Sequence, residues 1–576
     1  MTYHIGLFGN GPNPAAAIVK DGTLLAFAEE ERYNRIKMSP YGLPISAILY
    51  CLKHAGIGID EVQSIGFGWD CERYVEDMPA FYKKSRETYP SLDNLYNQLQ
   101  NNFLLNLYDP IRIKTELQLA LASRGLFIDP HKIRFLPHHL CHAASTFYAS
   151  GFKSASVLTI DGSGEEASTV LWHADASGIR QIKRLDLPNT LGGYYATFTE
   201  FLGFKANQDE GKLMGLAPYG EYSEELQDKL GKILAYSPDT GDFNINPYMR
   251  YLGRRTYGHR FTDEFVKLFG APRLSHEKIE KTHIDLAFNV QWRLEQVILA
   301  LVSNLIKETG DHNLCLAGGV AMNCCMNGKI AGMPEVANIF VQPASSDNGV
   351  ALGAAYLLAK ESGVREIAPM VHAYWGNSYS DKEIESALRE SKLTYRRTDR
   401  IVEEVAGMLN SGKIVGWFQG RMEVGARALG GRSILASPIF PNMKDKLNME
   451  VKHRENWRPF CPSMPIDDYS IYFDTGVDAD FMIVAFPVKP ELRPFIPSVV
   501  HVDGTARPQT VRRDFHPKFY DLLKTFGRLS GHPVLINTSF NIQGEPIVCT
   551  PRDALRCFGG TGLDVLAIGD YIVEKI

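Results

Sequence analysis

Apolar and polar residues alternate with a period of two in two separate parts of the chain. In the first part, this alternation and the Asp21-Gly22 turn predict three antiparallel strands between residues 4 and 28. A similar pattern over 155–187 predicts a second copy of the same unit. Because helical segments follow each copy, the pattern predicts an α/β protein with an internal duplication.

A long amphipathic helix is predicted over 286–308, and two strand–loop–helix units follow it. In the first unit, a strand at 313–317 leads into Gly318 and Gly319 at the start of a helix. A glycine pair at a helix N-terminus predicts a cradle for phosphate or adenosine. The second unit, over 338–360, has the same order. Together with the duplicated strands, this order predicts a duplicated ATPase fold of the actin–sugar kinase kind.

An irregular stretch that contains Pro369 and Gly376 separates this part from the rest of the chain. Beyond it, predicted helices and strands alternate again from 381 to 418. The predicted organisation is therefore two domains, 1–365 and 366–576.

Composition and charge narrow the class of protein. Hydrophobic residues make up 45% and charged residues 22% of the 576 residues, as in soluble globular proteins. The net charge of -5 offers no general attraction to nucleic acid or anionic membranes, and no apolar run is long enough to span a bilayer. The nine cysteines form no C-x-x-C pair, and the N-terminus lacks the basic region of a signal peptide. We therefore expect a soluble cytoplasmic protein that binds neither membranes nor nucleic acid.

Two histidines and two acids form the clearest candidate chemistry. Pro137 is placed to begin a helix, in which His138 and His142 would project from one face. A buried strand delivers Asp161 into a glycine loop, and Asp347 follows another strand end. Two imidazoles and two carboxylates favour one divalent transition metal, with coordination positions left for phosphate or water.

The alternatives are a chance histidine pair and a hydrolytic zinc site. A zinc hydrolase of the His-Glu-x-x-His type needs a glutamate between the histidines, and this chain has none there. His139 is out of register with the pair and is expected either at the surface or behind the ligands. Glycines beside Asp161 would let backbone amides approach phosphate oxygens, so the stretch indicates a metal-assisted nucleotide site.

Two charged loops leave two interpretations open. The run from Glu29 to Lys37 follows a strand directly, so it is either a solvated face or a functional loop. In a later loop, Asp209, Glu210 and Lys212 either contact a substrate or are solvated.

Arginines among glycines mark the second half of the chain. Arg421, Arg427 and Arg432 fit a loop that clamps a small anion through bidentate hydrogen bonds. A later strand leads to Asn537 and Ser539, whose amide and hydroxyl could orient a neutral planar group beside the anion. Further cations of this half are Lys452, Arg454, Arg458 and Arg507. A nucleic-acid site would need interleaved aromatic residues and a basic domain, so the pattern favours a pocket for a small phosphate.

The same residues carry a family resemblance. Over nearly its whole length, the sequence resembles the carbamoyltransferases of antibiotic and nodulation-factor biosynthesis. In the first half the motifs are Phe27-Ala28-Glu29-Glu30-Glu31-Arg32, His138-His139-Leu140-Cys141-His142-Ala143-Ala144-Ser145, Ile160-Asp161-Gly162, Gly211-Lys212-Leu213-Met214-Gly215-Leu216 and Gly318-Gly319-Val320-Ala321-Met322-Asn323. In the second half they are Gly425-Ala426-Arg427-Ala428-Leu429-Gly430, Arg458-Pro459-Phe460, His501-Val502-Asp503-Gly504-Thr505-Ala506-Arg507 and Asn537-Thr538-Ser539-Phe540-Asn541.

This resemblance implies a fold and an activity. Residues 1–365 should form an actin-like domain that binds ATP and a metal, and 366–576 a YrdC-like α/β domain that binds carbamoyl phosphate. Members of the family make carbamoyl adenylate from carbamoyl phosphate and ATP, and transfer the carbamoyl group to a hydroxyl of a small natural product. The resemblance implies a carbamoyltransferase with ATP as co-substrate, and it leaves a homodimer open.

The resemblance also implies roles for individual residues. A divalent metal, expected to be Fe²⁺ with Mn²⁺ or Mg²⁺ as alternatives, would be held by His138, His142, Asp161 and Asp347. The nucleotide would be bordered by Asp161, Gly162, Lys212, Gly318, Gly319, Val320 and Asn323. Carbamoyl phosphate would be bound by Lys37, Arg427, Arg458, Arg507, Asn537 and Ser539. Of these, Lys37, Arg427 and Arg458 are expected to be catalytic.

The chain departs from the family in the first strand pair. Family members carry His-Asp-x-Ser there, with the histidine near the acceptor, whereas this chain has Pro12-Asn13-Pro14-Ala15-Ala16. Three explanations stay open: another group deprotonates the acceptor, the acceptor needs little help, or transfer is impaired.

Two rival functions also stay open. The first is a tRNA- or protein-directed carbamoylating enzyme, against which the chain has no zinc-finger spacing and no basic RNA-binding stripe. The second is a non-catalytic actin-like nucleotide switch. A second anion pocket argues against it, because an ATP switch needs no such pocket.

Overall fold

The structure is a computed structural model that describes residues 2–88, 95–246 and 260–575. The chain divides into two compact units. Unit 1 comprises Met1–Leu25 and Tyr41–Pro369, and unit 2 comprises Ala26–Pro40 and Met370–Ile576. The short segment 26–40, which contains the helix α1 (Glu31–Asn34), therefore packs with the second half of the chain. The sequence pattern instead predicts this segment within the first domain, 1–365.

The first sheet of unit 1 has five strands in the order β3-β2-β1-β4-β5. The strands are β1 (Tyr3–Phe8), β2 (Ala15–Lys20), β3 (Thr23–Glu29), β4 (Val62–Phe67) and β5 (Ile133–Phe135). β1 pairs antiparallel with β2 and parallel with β4. The sheet therefore combines the antiparallel strands β1 to β3 with two strands, β4 and β5, that run parallel to β1.

The second sheet repeats this arrangement, with the order β12-β11-β6-β7-β8. The strands of this part are β6 (Ala155–Gly164), β7 (Ala167–Asp175), β8 (Gly178–Asp186), β9 (Leu234–Tyr236), β10 (Phe243–Ile245), β11 (Asn313–Ala317) and β12 (Asn338–Val341), of which β9 and β10 form a separate hairpin. β6 pairs antiparallel with β7 and parallel with β11. Two sheets of the same topology confirm the predicted duplicated, actin-like α/β fold.

Helices flank both sheets of unit 1. They are α2 (Ile45–Ala55), α3 (Cys71–Thr88), α4 (Leu95–Leu107), α5 (Pro110–Ala122), α6 (His138–Ser150), α7 (Leu191–Phe201), α8 (Glu210–Leu216), α9 (Glu224–Gly231), α10 (Asp263–Phe269), α11 (Lys281–Thr309), α12 (Cys324–Ala331) and α13 (Asp347–Glu361). α13 lies against α6 so closely that a Cβ on Gly353 would be 1.8 Å from the carbonyl oxygen of Cys141. This contact requires glycine, and it holds the two helices that carry three of the predicted ligands.

Unit 2 contains a mixed eight-stranded sheet in the order β13-β22-β21-β14-β15-β20-β16-β19. Its strands are β13 (Tyr395–Arg397), β14 (Val415–Phe418), β15 (Arg432–Ala436), β16 (Cys461–Pro465), β17 (Phe486–Pro487), β18 (Thr505–Ala506), β19 (Gln509–Val511), β20 (Leu535–Ser539), β21 (Val565–Ile568) and β22 (Tyr571–Glu574), with β17 and β18 paired outside the sheet. The unit is an α/β domain, as predicted. Its likeness to YrdC-like domains stays a prediction.

The helices of unit 2 are α14 (Asp381–Ser391), α15 (Ile401–Asn410), α16 (Met443–Lys446), α17 (Tyr469–Tyr472), α18 (Pro517–Ser530) and α19 (Pro551–Gly559). Apolar residues of α15 and α18, such as Val405 and Phe526, pack against Trp417, Leu435 and Val565 of the sheet. Burial of this apolar surface fixes the helices on one face and leaves the strand ends to carry polar residues. Over both units, no described helix is both long and apolar enough to cross a membrane.

Candidate metal centre and anion site

The helix α6 begins where Pro137 predicts, and its first residue is His138. His142 follows one turn later, so both imidazoles project from the same face of the helix. Both side chains are fully buried, and their Nε2 atoms lie 3.1 Å apart. The predicted histidine pair is therefore present and converges on one point.

Asp161 reaches this point from an irregularity in the β6–β7 pairing. Its Oδ1 accepts hydrogen bonds from the amides of Gly162 (2.7 Å) and Gly319 (3.3 Å), while Oδ2 lies 3.3 Å and 3.0 Å from the two histidine Nε2 atoms. Gly318 makes this approach possible, because its φ is +95° and a Cβ there would be 2.2 Å from the carbonyl oxygen of Ile160. The two amides thus orient the carboxylate.

Asp347 is the first residue of α13. Its Oδ1 lies 3.8 Å from Nε2 of His138 and 4.0 Å from Nε2 of His142. One ligand atom from each of four residues, His138, His142, Asp161 and Asp347, falls within a span of 4.8 Å. These four residues are called the metal centre below.

The donor chemistry of the metal centre fits a divalent transition metal. The Nδ1 of His138 lies 3.0 Å from the carbonyl oxygen of Gly68 and donates its proton there, so a bound metal would replace the proton that Nε2 shares with Asp161. Burial would raise the pKa of Asp161, but hydrogen bonds from the two histidines hold it well below the usual range. Burial, followed by the charge of Asp161, raises the pKa of Asp347 well above its usual range. A bound cation would relieve this repulsion. The choice of Fe²⁺, Mn²⁺ or Mg²⁺ stays a prediction.

His139 is buried, so the alternative of a surface histidine is wrong. Its Nδ1 lies 2.9 Å from the hydroxyl of Thr159, which also accepts a hydrogen bond from Trp172 at 3.1 Å. The residue therefore packs behind the ligands as part of the wall of the metal centre.

The predicted nucleotide residues fall into two groups. Gly162, Gly318 and Gly319 lie at the metal centre, where they position Asp161. Asn323 instead caps α12, and its side-chain amide exchanges hydrogen bonds with Gln291 at 2.9 Å and 3.1 Å.

The two remaining nucleotide predictions lie elsewhere in unit 1. Val320 is buried, and Lys212 pairs with Asp209 at 3.2 Å and lies over the ring of Phe204. Nucleotide contacts for all of these residues stay predictions.

In unit 2, the charged run 29–37 is largely buried at its start. Arg32 is 2% exposed and donates hydrogen bonds from Nε and Nη2 to Glu29 and from Nη2 to the carbonyl of Gly425. Arg35 donates to the carbonyls of Pro546 and Ile547 at 2.8 Å and 2.7 Å. The expectation of a solvated face is therefore wrong for this part of the run, and these bonds secure the segment that presents Lys37.

Lys452 lies at the end of a π-helical turn, Leu447–Lys452, and is buried. Its Nζ donates to the backbone oxygen of Ser539 and to Oδ1 of Asn541. Burial lowers the pKa of Lys452 to about 7. Three positive charges act in the same direction, those of Arg454, Arg458 and Lys37. We call these four residues the anion cluster.

The cationic field extends to Arg454. Burial, and next the charge of Arg458, lower the pKa of this arginine to about 9. Its guanidinium donates to Oδ1 of Asn448 at 2.7 Å and lies over the ring of Phe460. Positive groups that depress each other's pKa values are stabilised by an anion, so the cluster is suited to phosphate.

Pairing within the sheet of unit 2 brings further residues of the predicted carbamoyl phosphate site close to the anion cluster. Cys461 at the start of β16 pairs with Asn537 in the middle of β20. Arg507 precedes β19 and donates from Nε and Nη2 to Sγ of Cys461 at 3.2 Å and 3.0 Å. Ser539 lies beside Lys452, at 3.3 Å between Oγ and Nζ. The structure thus brings Arg507, Asn537 and Ser539 together.

Two of the three arginines predicted to clamp an anion have another role. Arg432 is fully buried and donates to the backbone oxygens of Gln419, Gly431 and Asn377. Arg421 donates to the backbone oxygens of Gly376 and Trp375. These two arginines bind backbone oxygens of the protein. The prediction that they clamp an anion is therefore wrong for Arg421 and Arg432. Arg427 is half-buried in the same loop, and its contact with carbamoyl phosphate stays a prediction.

Lys452, Arg454 and Asn541 were not assigned to the site from the sequence. The sequence indicates the first two only as nearby cations, because nothing in a single sequence shows which lysine is buried. Their signal was the density of cations between Lys452 and Arg458, followed by the Asn-Thr-Ser-Phe-Asn motif.

Comparison with known proteins covers both halves of the chain. The family model of the carbamoyltransferase N-terminus matches residues 12–356, and the model of the C-terminus matches 406–575. Nodulation protein NolNO of Sinorhizobium fredii is 35% identical over 97% of this chain and 78% of its own length. Nodulation protein U of Rhizobium fredii is 36% identical over 95% of this chain and 90% of its own length.

Two solved structures align with part of the chain. Component A of (R)-2-hydroxyglutaryl-CoA dehydratase from Acidaminococcus fermentans covers 63% of this chain and 99% of its own, with 16% identity and a TM-score of 0.33. HypF of T. kodakarensis covers 63% of this chain and 48% of its own, with 13% identity and a TM-score of 0.31. The family models and the nodulation proteins, in contrast, match at the level of sequence and over most of the chain. On that basis the chain belongs to the carbamoyltransferase family and is a transferase enzyme.

Proposed function

We propose that this carbamoyltransferase makes carbamoyl adenylate from carbamoyl phosphate and ATP, and then passes the carbamoyl group to a hydroxyl of a small natural-product acceptor. The observation that carries the proposal is the anion cluster of unit 2. Lys452 is buried, donates to Ser539 and Asn541, and lies near the charges of Arg454, Arg458 and Lys37, which with burial lower its pKa to about 7. A bound anion would offset this concentration of positive charge. The proposal places carbamoyl phosphate at this cluster and the ATP phosphates at the metal centre of unit 1.

Asn537, near the anion cluster, offers a hydrogen-bond acceptor that suits the NH₂ of a carbamoyl group. The Nδ2 of Asn537 donates to the side-chain oxygens of Ser463 (3.0 Å) and Gln509 (2.9 Å). Its Oδ1 is buried and has no hydrogen-bond partner among the described residues. A buried carbonyl without a donor favours a ligand that supplies an N–H, as a carbamoyl NH₂ would.

The proposed reaction balances with one water. ATP, carbamoyl phosphate and water give carbamoyl adenylate, pyrophosphate and phosphate. Water first hydrolyses carbamoyl phosphate, which breaks the bond between the carbamoyl group and the phosphate and gives carbamate and phosphate. A carbamate oxygen then bonds to the α-phosphorus as the α–β bridging P–O bond breaks, and pyrophosphate leaves. In the second step the acceptor hydroxyl attacks the carbamoyl carbon, loses its proton, and AMP leaves.

The residues of the two sites have separate tasks in this scheme. Lys452 and Arg458 bind the phosphate that leaves carbamoyl phosphate and stabilise its charge. The histidines and aspartates of the metal centre would hold a divalent ion, which when bound supplies positive charge to the ATP phosphates. Asp161 is kept in place by the Gly162 and Gly319 amides. We further propose that the protein acts in the cytoplasm.

Adenylate formation without acceptor tests the proposal. The purified full chain is incubated with ATP, carbamoyl phosphate and Fe²⁺, Mn²⁺ or Mg²⁺, and pyrophosphate and carbamoyl adenylate are followed by mass spectrometry. We expect both products from the wild type, and neither from Arg458→Ala or His142→Ala. Arg513→Ala is the matched control, because Arg513 is exposed and pairs with Asp521. ATP binding without adenylate in the wild type would overturn the proposal.

A further inference from the structure

Glu165 occupies the turn between β6 and β7 in an unusual conformation. Its φ is +48°, which places a non-glycine residue in the left-handed region. Despite its position in a hairpin turn, the residue is buried. Strained, buried residues of this kind persist only when their surroundings hold them, and they concentrate at functional sites.

The carboxylate of Glu165 accepts hydrogen bonds from backbone amides of two other elements. Oε1 lies 2.7 Å from the amide nitrogen of Asp70 and 3.1 Å from that of His138, and Oε2 lies 3.3 Å from the latter. The His138 amide is one of the first N–H groups of α6, which have no carbonyl partner within the helix. Pro137 provides no side-chain cap. Glu165 therefore caps the helix that carries both histidine ligands.

The hydrogen bond from the Asp70 amide connects Glu165 to the loop that orients the His138 ring. Asp70 follows Gly68 by two residues, and the Gly68 carbonyl accepts the Nδ1 proton of His138. On the other side, a Cβ on Gly164 would lie 2.5 Å from Cδ2 of His138, so the turn packs directly against the ring. One carboxylate thus ties the start of α6 to the loop that fixes the imidazole.

From this geometry we propose that Glu165 is a positioning residue of the metal centre, which holds α6 and the Gly68 carbonyl so that His138 and His142 aim Nε2 at one ion. The proposal rests on the metal centre of the proposed function. Outer groups that orient ligands in this way typically change metal affinity by about 10- to 100-fold when removed.

The neighbouring acid provides a matched control. Glu166 is adjacent in the chain but forms ion pairs with Arg73 and Arg184 and makes no bond to α6 among the described residues. Glu166→Gln therefore changes charge in the same turn without touching the cap.

The test is the binding of Co²⁺ and Mn²⁺ to the full chain, measured by titration after removal of metal, with thermal unfolding of the metal-free protein in parallel. For Glu165→Ala we expect the Kd to rise about 10- to 100-fold and the Co²⁺ ligand-field bands to shift. Glu165→Gln retains one oxygen acceptor and should recover much of the affinity. Glu166→Gln should bind within about twofold of the wild type.

Two results would overturn the proposal and point to different errors. An unchanged Kd and Co²⁺ spectrum in Glu165→Ala, with a lower melting temperature and with binding lost in His142→Ala, would show a purely structural role and leave the metal centre intact. Wild-type binding in His142→Ala would show that the metal centre itself is wrongly assigned.

Discussion

The metal centre takes its ligands from regular elements of unit 1, whereas the anion cluster of unit 2 is assembled mainly from irregular chain. His138 begins α6, Asp347 begins α13, and Asp161 lies on β6. Lys37, in contrast, comes from a distant segment of loop, and Lys452 ends a π-helical turn. The geometry of the metal centre therefore depends on helices and a strand, whereas that of the anion cluster depends on how loops and an irregular helical turn are held.

The two sites also differ in charge. The metal centre places two acids beside two histidines, so the repulsion between carboxyls is relieved by a cation. The anion cluster gathers lysines and arginines, so its repulsion is relieved by an anion. The metal centre is buried throughout, whereas in the anion cluster Lys452 is buried, Arg454 and Arg458 are half-buried and Lys37 is exposed. In each site the like charges are costly until the matching ion binds.

The largest effect is expected at the metal centre. His142→Ala removes one of four ligands from a preformed site, so divalent metal affinity should fall by more than about 100-fold, since loss of even an outer group costs about 10- to 100-fold. Metal retained after dialysis, measured by elemental analysis, checks this. His131→Ala, at an exposed histidine of the same unit, should retain metal as the wild type does. Equal retention in both variants would refute the ligand assignment.

A somewhat smaller effect is expected at the anion cluster. Lys452→Met removes a charge that donates to Ser539 and Asn541, and phosphate affinity should fall about 10- to 100-fold, in keeping with about 1.5–3 kcal/mol for a charged hydrogen bond. Isothermal calorimetry with carbamoyl phosphate and inorganic phosphate measures the change. Lys452→Arg, which keeps the charge, should lose less. Phosphate binding that is unaffected by Lys452→Met would separate this lysine from the site.

Anion affinity should also depend on pH in one direction. Because the pKa of Lys452 is lowered to about 7, the lysine is charged below that pH and neutral above it in the anion-free protein. Sulfate, which stays a dianion throughout, should therefore bind up to about tenfold more weakly for each pH unit above 7. Lys452→Arg should abolish most of this dependence. A flat sulfate profile in the wild type would contradict the lowered pKa.

Substitution of Arg432 tests whether this arginine stabilises the fold or binds an anion. Arg432→Ala leaves buried backbone oxygens of Gln419, Gly431 and Asn377 without a donor, so we expect a loss of about 3 kcal/mol in the free energy of unfolding. Thermal and denaturant unfolding measure it, with Arg513→Ala as the control. Normal stability together with lost phosphate binding would restore the predicted three-arginine clamp.

The smallest effect is expected in the loop that presents Lys37. Arg35, Met38 and Ser39 have φ values of 61°, 61° and 39°. Asn34 supports this loop, since its Nδ2 donates to the hydroxyl of Ser39 at 2.6 Å and its Oδ1 accepts from the Ile36 amide at 2.9 Å.

Asn34→Ala should therefore loosen Lys37 and weaken carbamoyl phosphate binding by about three- to tenfold, as expected for one or two hydrogen bonds. Titration at constant pH and comparison of melting temperatures check this. An unchanged affinity would mean that the strained loop holds its shape without Asn34.

Much of unit 1 could be predicted from the sequence because its signals are local. The Pro137 start and the i, i+4 histidines define a helix face, and a buried strand that ends at Asp161 defines a ligand position. The repeated strand pattern at 4–28 and 155–187 likewise predicted the duplicated sheets. Each of these depends on residues close together in the chain.

The anion cluster was harder to predict because its partners are far apart in sequence. The charged run at 29–37 has the composition of a solvated face, yet Arg32 is buried through bonds to Glu29 and Gly425. Arg432 and Arg427 lie in the same glycine-rich loop, but only the structure shows that Arg432 is bound to backbone carbonyls. Composition does not distinguish an arginine that holds the chain from one that is placed to hold a ligand.

The sequence by itself determined the α/β class, the duplication, the family and the four candidate ligands that form the metal centre, since short-range periodicity and motif spacing encode them. Only the tertiary structure decided that segment 26–40 packs with unit 2, that Lys452 is the buried lysine with a lowered pKa, and that Glu165 caps α6. The physical reason is that burial and hydrogen bonding between distant residues set pKa values and backbone strain. These quantities arise only when the chain is folded.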